Sequence, residues 1–168
     1  MRLLAAARVA SERDFLMILV AYLHGLRASE VVAITRDHIA GDHLDVKRLK
    51  GSEHTVQPLI SHDNPLLNER AGLAEYSKRM LGNQRLFPIC RQHFWRMVQK
   101  HGKTAGLPAP MCHPHTMKHT IGFELADAKG LPVTQTHLGH KSGASTMIYA
   151  KKSPEQAAAA VREALGAL

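Results

Sequence analysis

The sequence predicts a mainly α-helical domain that carries one small antiparallel β-hairpin or sheet, an α+β chain. Three observations lead there. Apolar residues recur at helical spacing in successive segments, each bounded by Ser, Pro or Gly. Only residues 43–60 show two β-type runs, and a Gly-Ser-Glu turn divides them. The chain has 168 residues, 45% of them hydrophobic, which suffices for one domain with a real core.

The elements follow in order. MRLLAAARVA is weakly like a signal peptide, but the charged SERD comes at once and no convincing cleavage site precedes it, so it reads as a helix. SERDFLMILVAYLHG opens on Ser11 as N-cap and closes near Gly25; most of it is apolar all round, which places it at the centre of the core. In LRASEVVAI, Ser29 is suited to cap a short helix over 30–34. HLDVKRLK (43–50) and HTVQPLI (54–60) read as the two strands, with the hairpin tip near Lys50. Residues 64–82 form an amphipathic helix with Pro65 in its first turn. Residues 91–106 place Phe94, Met97 and Val98 on one face and stop at Gly106. Pro114 opens a helix to Gly130, and a shorter one runs from Pro132 towards HLGH. STMIYA (145–150) makes a helical turn or two, and the alanine-rich tail at 153–166 is capped by Ser153.

Composition narrows the function. The formal net charge is +8 with twelve histidines counted neutral, which suits a polyanionic partner, nucleic acid or an acidic membrane surface. Cys90 and Cys112 are too few for a disulfide framework and form no CxxC pair, which points to a reducing, cytosolic setting. The apolar run FLMILVAYL at 15–23 falls far short of a membrane span.

The stretch HPHTMKHT at 113–120 raises a metal question. His115 and His119 are four apart and share a helix face, but a zinc site needs further ligands, and no HExxH or finger pair supplies them. Taken alone, the motif is a histidine-rich polar face. Other residues have an ordinary and a chemical reading each. Arg27 in HGLRASE is a surface arginine, or a fork that grips phosphate oxygens. Glu30 complements a helix dipole, or orients a neighbour. Lys50 at a hairpin tip is solvated, or is carried to DNA as a proton donor. His140 in LGHKSG is a turn histidine at first sight. Tyr149 is a half-buried tyrosine whose hydroxyl attacks only if cations stabilise its phenolate or a base takes its proton.

Singly, the ordinary reading wins each time; the order of the motifs changes that. HGLRASE, RLKG, HPHTMKHT and LGHKSGASTMIYA resemble the catalytic domain of the tyrosine recombinases, the phage integrase family, from about residue 11 to residue 152. The wording is particularly similar to short bacterial recombinases that invert fimbrial promoter segments. The resemblance implies a DNA breaking-rejoining domain and a set of roles. Arg27 and His140 grip the scissile phosphate. Glu30 supports that site. Lys50 protonates the leaving 5′ oxygen. His115 takes the tyrosine proton or holds the phosphate, with His119 in support. Tyr149 is the nucleophile and forms a 3′-phosphotyrosyl link. Because bond energy is conserved, the resemblance implies no ATP, metal or other cofactor. It implies double-stranded DNA as partner, a tetramer of protomers on paired sites, accessory DNA-bending proteins, and a bacterial cytoplasmic, nucleoid-associated setting away from membranes.

Two departures stand out. Lys118 fills the place of the family's second arginine and keeps the charge without the planar fork. Three readings stay open for it: tolerated variation, the mark of a weakened or regulatory protein, or an engineered change. The chain is also short. It is read as one catalytic domain over 1–168, with the expectation that no N-terminal core-binding domain precedes it. Two rivals to recombination remain at this point: a DNA-binding regulator on the same scaffold, and a type IB topoisomerase.

Overall fold

The computed structural model describes residues 1–49, 52–150 and 154–166. Its helices are α1 (Arg2–Ala10), α2 (Glu12–Leu23), α3 (Ala28–Val31), α4 (Glu69–Tyr76), α5 (Arg91–Thr104), α6 (Pro114–Lys129), α7 (Leu131–Leu138) and α8 (Pro154–Gly166). A three-stranded antiparallel sheet, β1 (Ile39–Ala40), β2 (His43–Val46) and β3 (Thr55–Pro58), lies between α3 and α4 in the chain. Its register pairs Ile39 with Leu44 and Val46 with Thr55.

The core forms around α2. Ser11 caps it by accepting from Asp14 N, and every residue from Phe15 to Ala21 is buried. A helix apolar on all faces needs partners on all sides, and α1, α3, α4 and α6 pack around it. Phe87, Phe94 and Val98 extend the same core under α5. Polar contacts are buried inside as well. His101 on α5 lies 2.8 Å from Asp14 of α2. His24 reaches Glu69 at 2.9 Å and Gln57 at 2.7 Å, tying the end of α2 to α4 and β3.

Several boundaries differ from the sequence reading. α3 starts at Ala28, so Arg27, not Ser29, is the N-cap; the Glu30 carboxylate accepts from Arg27 N at 2.8 Å. The helix expected over 64–82 is only Glu69–Tyr76. Asn68 caps it through Ala71 N, and Asn64 accepts from Leu66 N to hold Pro65 in a preceding turn. The two-residue β1 is too short to leave an alternation in the sequence. STMIYA resolves into tight 3-10 turns at Gly143–Ser145 and Met147–Tyr149. Lys50 and Ser153 lie outside the described residues. On α8, Val161 and Leu165 are exposed. Among the described residues no helix is long and apolar enough to cross a membrane.

Candidate active site

The site is assembled where the end of α2 turns back. Gly25 adopts φ +58°, a left-handed conformation that favours glycine, and a Cβ there would stand 2.4 Å from Leu138 Cδ2. This turn sends the chain into Arg27 and leaves the Gly25 carbonyl facing α6. Lys118, 3% exposed, donates its ammonium to that carbonyl at 2.9 Å. Arg27 Nη1 donates to Glu30 Oε1 at 2.9 Å and to Ser52 Oγ at 3.0 Å, which aims the guanidinium while leaving it partly open. Glu30 is 3% exposed and also accepts from Leu49 N at 3.1 Å. Burial pushes its carboxyl up, but the hydrogen bonds from Arg27 and Leu49 and the charge of Arg48 outweigh this, and the net direction is down.

The LGH segment meets the hairpin from the other side. Glu53 N donates to Gly139 O at 2.7 Å, and Ser52 forms a backbone bridge with His140. His140 is buried, with Nδ1 3.0 Å from Thr146 Oγ1. Its ring lies parallel to that of Tyr149, centroids 6.4 Å apart. Tyr149, 3% exposed, is boxed further by Phe123, edge-on at 5.0 Å, and its hydroxyl reaches His119 Nδ1 at 3.2 Å. His115 stands one turn before His119 on α6, exposed, with the two rings edge-to-face at 4.4 Å. Among the described residues no three His, Cys, Asp or Glu side chains are grouped as a metal site.

The electrostatics share one pattern. Burial, followed by the charges of Arg48 and Arg27, lowers the Lys118 ammonium to about 8. Burial, then Lys118, Arg27 and Arg48, lowers His140 to about 4. His115 and His119 are lowered too, by burial first and then by neighbouring cations. Burial raises the Tyr149 hydroxyl, and Arg27 pulls the other way. Cations that suppress one another around one carboxylate form a site short of negative charge. A bound phosphate supplies that charge.

The structure thus brings Arg27, Glu30, Lys118, His119, His140 and Tyr149 together, with His115 on the wall of an adjoining cleft. Arg91, Gln92, Trp95 and Arg96 at the start of α5 line the same cleft as Arg27 and His115. The sequence reading did not select these residues, because a basic, aromatic helix start is common on surfaces. It also passed over Arg48 and Gly122. Arg48 sits inside the quoted RLKG but reads as a strand residue. Gly122 lies opposite the Tyr149 ring, where a Cβ would come 2.6 Å from Cζ. Only the folded contact reveals either one.

A helical domain that gathers an arginine, a lysine, histidines and a tyrosine hydroxyl around an anion-seeking centre has the parts of a DNA strand-transfer domain. The family comparison agrees. The phage integrase family matches residues 1–156. The type 1 fimbriae regulatory protein FimE of Escherichia coli strain K12 is 30% identical over 146 residues, 82% of this chain and 73% of FimE. Tyrosine recombinase XerD of Pseudomonas putida is 32% identical over 148 residues, 82% of this chain and 49% of XerD. In fold, the XerA recombinase crystal structure matches with a TM-score of 0.76 at 21% identity, over 96% of this chain and 59% of XerA. A lambda integrase dimer bound to a COC' core site matches with a TM-score of 0.71 at 18% identity, over 89% of this chain and 45% of that one. The chain spans about half the length of XerD. It belongs to the phage integrase family, and its fold is that of a tyrosine recombinase catalytic domain.

Proposed function

We propose that this chain is the catalytic domain of a site-specific DNA recombinase that cuts and rejoins strands through a 3′-phosphotyrosyl intermediate on Tyr149. The observation that carries the reading is the Tyr149 hydroxyl held on His119 Nδ1 beside mutually suppressed cations. A neutral His119 with its proton on Nε2 accepts the phenol proton at Nδ1 as the hydroxyl attacks phosphorus. Arg27, His140 and Lys118 stabilise charge on the non-bridging oxygens, the task that dominates phosphoryl transfer. Lys50 protonates the departing 5′ oxygen. A second strand's 5′-hydroxyl then attacks the phosphotyrosine, restores the phosphodiester and releases Tyr149. Residues 1–168 act as the catalytic domain throughout.

The cleft wall of Arg91, Gln92, Trp95 and Arg96 meets the DNA backbone and bases next to the cut, and its arginines make binding salt-dependent. The relatives named for fimbrial regulation and tyrosine recombination favour recombination over topoisomerase activity. In this reading four protomers act on paired sites in a bacterial cytoplasm at the nucleoid, with accessory DNA-bending proteins.

The test is covalent capture. The chain is mixed with nicked duplexes tiled from the DNA that flanks its own gene. A band that survives detergent and vanishes in Tyr149→Phe supports the reading. A band that persists in that variant removes Tyr149 as nucleophile. DNA binding with no band, in the chain as it stands and in Lys118→Arg, favours the regulator instead.

A further inference from the structure

Arg48 has an unusual environment. Its side chain is fully buried, and its guanidinium donates to acceptors on three separate segments and pairs with a carboxylate on a fourth. Nη2 reaches His24 O at 2.8 Å and His137 O at 3.2 Å; Nη1 reaches Gly25 O at 3.1 Å; Nε reaches Thr55 Oγ1 at 3.0 Å. The Glu30 carboxylate lies 3.5 Å away. A planar fork meets this many acceptors in one geometry only, so the segments cannot shift independently.

Those segments are the ones that carry the chemistry. His24 and Gly25 lead into Arg27. Glu30 orients Arg27 and holds Leu49 N. His137 leads into His140. Arg48 itself sits two residues before Lys50. The Gly25 carbonyl is shared with Lys118, so the arginine and the lysine converge on one oxygen. Burying a guanidinium with one carboxylate beside it is costly and adds little stability over an apolar side chain of like volume. Its use lies in the geometry it enforces.

We propose that Arg48 is a positioning residue of the recombination site: its buried guanidinium holds the β2–β3 hairpin, the Arg27–Glu30 turn and the approach to His140 in register, and its charge crowds the Lys118 ammonium. The inference rests on the recombinase reading for its catalytic consequence and on the fold alone for its electrostatic one. The charged and titratable groups that bear on Lys118 are Arg27 and Glu30 from the turn and α3, Arg48 from the hairpin, His115 and His119 from α6, and His137 and His140 from α7 and the segment after it. Among the causes acting on Lys118, Arg48 follows burial.

Two variants of the full chain separate the roles. Arg48→Met removes fork and charge; Arg48→Lys keeps charge and loses the fork. The Lys118 ammonium is titrated by NMR at its ε carbon without DNA, with Lys118→Arg to assign the signal. Capture rate and DNA affinity are measured alongside. In Arg48→Met the Lys118 midpoint moves up from about 8. Adduct formation falls about tenfold or more while DNA affinity stays within about threefold. In Arg48→Lys the midpoint stays and capture remains low, because an ammonium cannot hold four segments at once. An unchanged midpoint in Arg48→Met overturns the inference, as does full capture in either variant. If Arg48→Met does not fold, Arg48→Lys decides on capture. If the parent chain forms no adduct, the recombinase reading fails, and the Lys118 midpoints decide the electrostatic role on their own.

Discussion

The Tyr149 hydroxyl meets His119 Nδ1 at 3.2 Å, while His115 touches His119 edge-on and faces the cleft. The resemblance alone gave His115 the proton or the phosphate and left His119 in support. On the recombinase reading the two tasks divide: His119 receives the proton, and His115 meets the phosphate beside Arg27. His119→Ala is expected to slow adduct formation by about a hundredfold, the usual scale for a lost general base, with little change in DNA affinity. His115→Ala is expected to weaken capture of the scissile phosphate and to raise the DNA concentration needed for half-maximal rate. Rates on a nicked duplex over a range of DNA concentrations separate them. If His119→Ala leaves the rate at saturating DNA unchanged, the assignment of the base is wrong.

Gly122 leaves room for the Tyr149 ring. With a Cβ 2.6 Å from Tyr149 Cζ, Gly122→Ala pushes the ring off His119 and away from its box of Phe123 and His140. Alanine suits a helix interior better than glycine by up to about 1 kcal/mol, so α6 itself gains. The expected result is a folded protein that binds DNA and forms adduct far more slowly. Thermal unfolding beside covalent capture checks this. Undiminished capture by the Gly122→Ala variant shows that Tyr149 works from another position.

How much of this was legible beforehand follows a physical divide. Ser11, Pro114 and the long apolar run of α2 are local signals, and the elements they mark are in place. Arg27 and Tyr149 could be singled out because their neighbours form linear motifs. Arg48 and Gly122 were not, because their roles arise from contacts with segments tens of residues distant. Their own neighbours in sequence say only strand and helix. The Asn68 cap was hidden for a related reason: Pro65 and Asn68 are both plausible helix starts, and a side-chain bond from Asn64 decides between them.

With Lys118 in the proposed site, the reaction is expected to be sensitive to alkali. Burial and the charges of Arg48 and Arg27 hold its ammonium at about 8, below the ordinary 10.5. On the recombinase reading the protonated form is the phosphate ligand, so capture is expected to decline as pH rises through 8 at subsaturating DNA. Bound phosphate moves that limb upward by supplying the missing charge. The stability sign is opposite. Between about 8 and 10.5 the unfolded chain binds more protons than the folded one, so folding stability rises with pH across that window. In Lys118→Arg the side chain stays charged, so both effects disappear, and the fork restores bidentate contact. Capture rates and unfolding midpoints from about pH 7 to 10 for the two chains test this. Identical alkaline limbs would exclude Lys118 from the phosphate.

Glu30 is the carboxylate among these cations, and its loss leaves a buried charge exposed to its like. Arg48 and Glu30 both have fully buried side chains, 3.5 Å apart. Glu30→Gln keeps the shape and one acceptor for Leu49 N or Arg27 N, but Arg48 and Lys118 then face Arg27 without compensation. Breaking a buried ion pair from one side costs about 3–5 kcal/mol, far above the near-zero value of an exposed pair. Because the carboxyl is held below its ordinary range, its contribution is present above the unfolded pKa and is lost as pH falls through the folded one. Urea unfolding is therefore expected to show a large drop in midpoint with an unchanged slope at neutral pH, and a smaller gap between the two chains in acid. The same variant loosens Arg27, so capture falls more steeply than stability explains; Glu30→Asp, which keeps the charge on a shorter arm, restores part of the midpoint and less of the rate. A Glu30→Gln chain within about 0.5 kcal/mol of the parent at neutral pH would mean that Arg48 is neutralised by some other group.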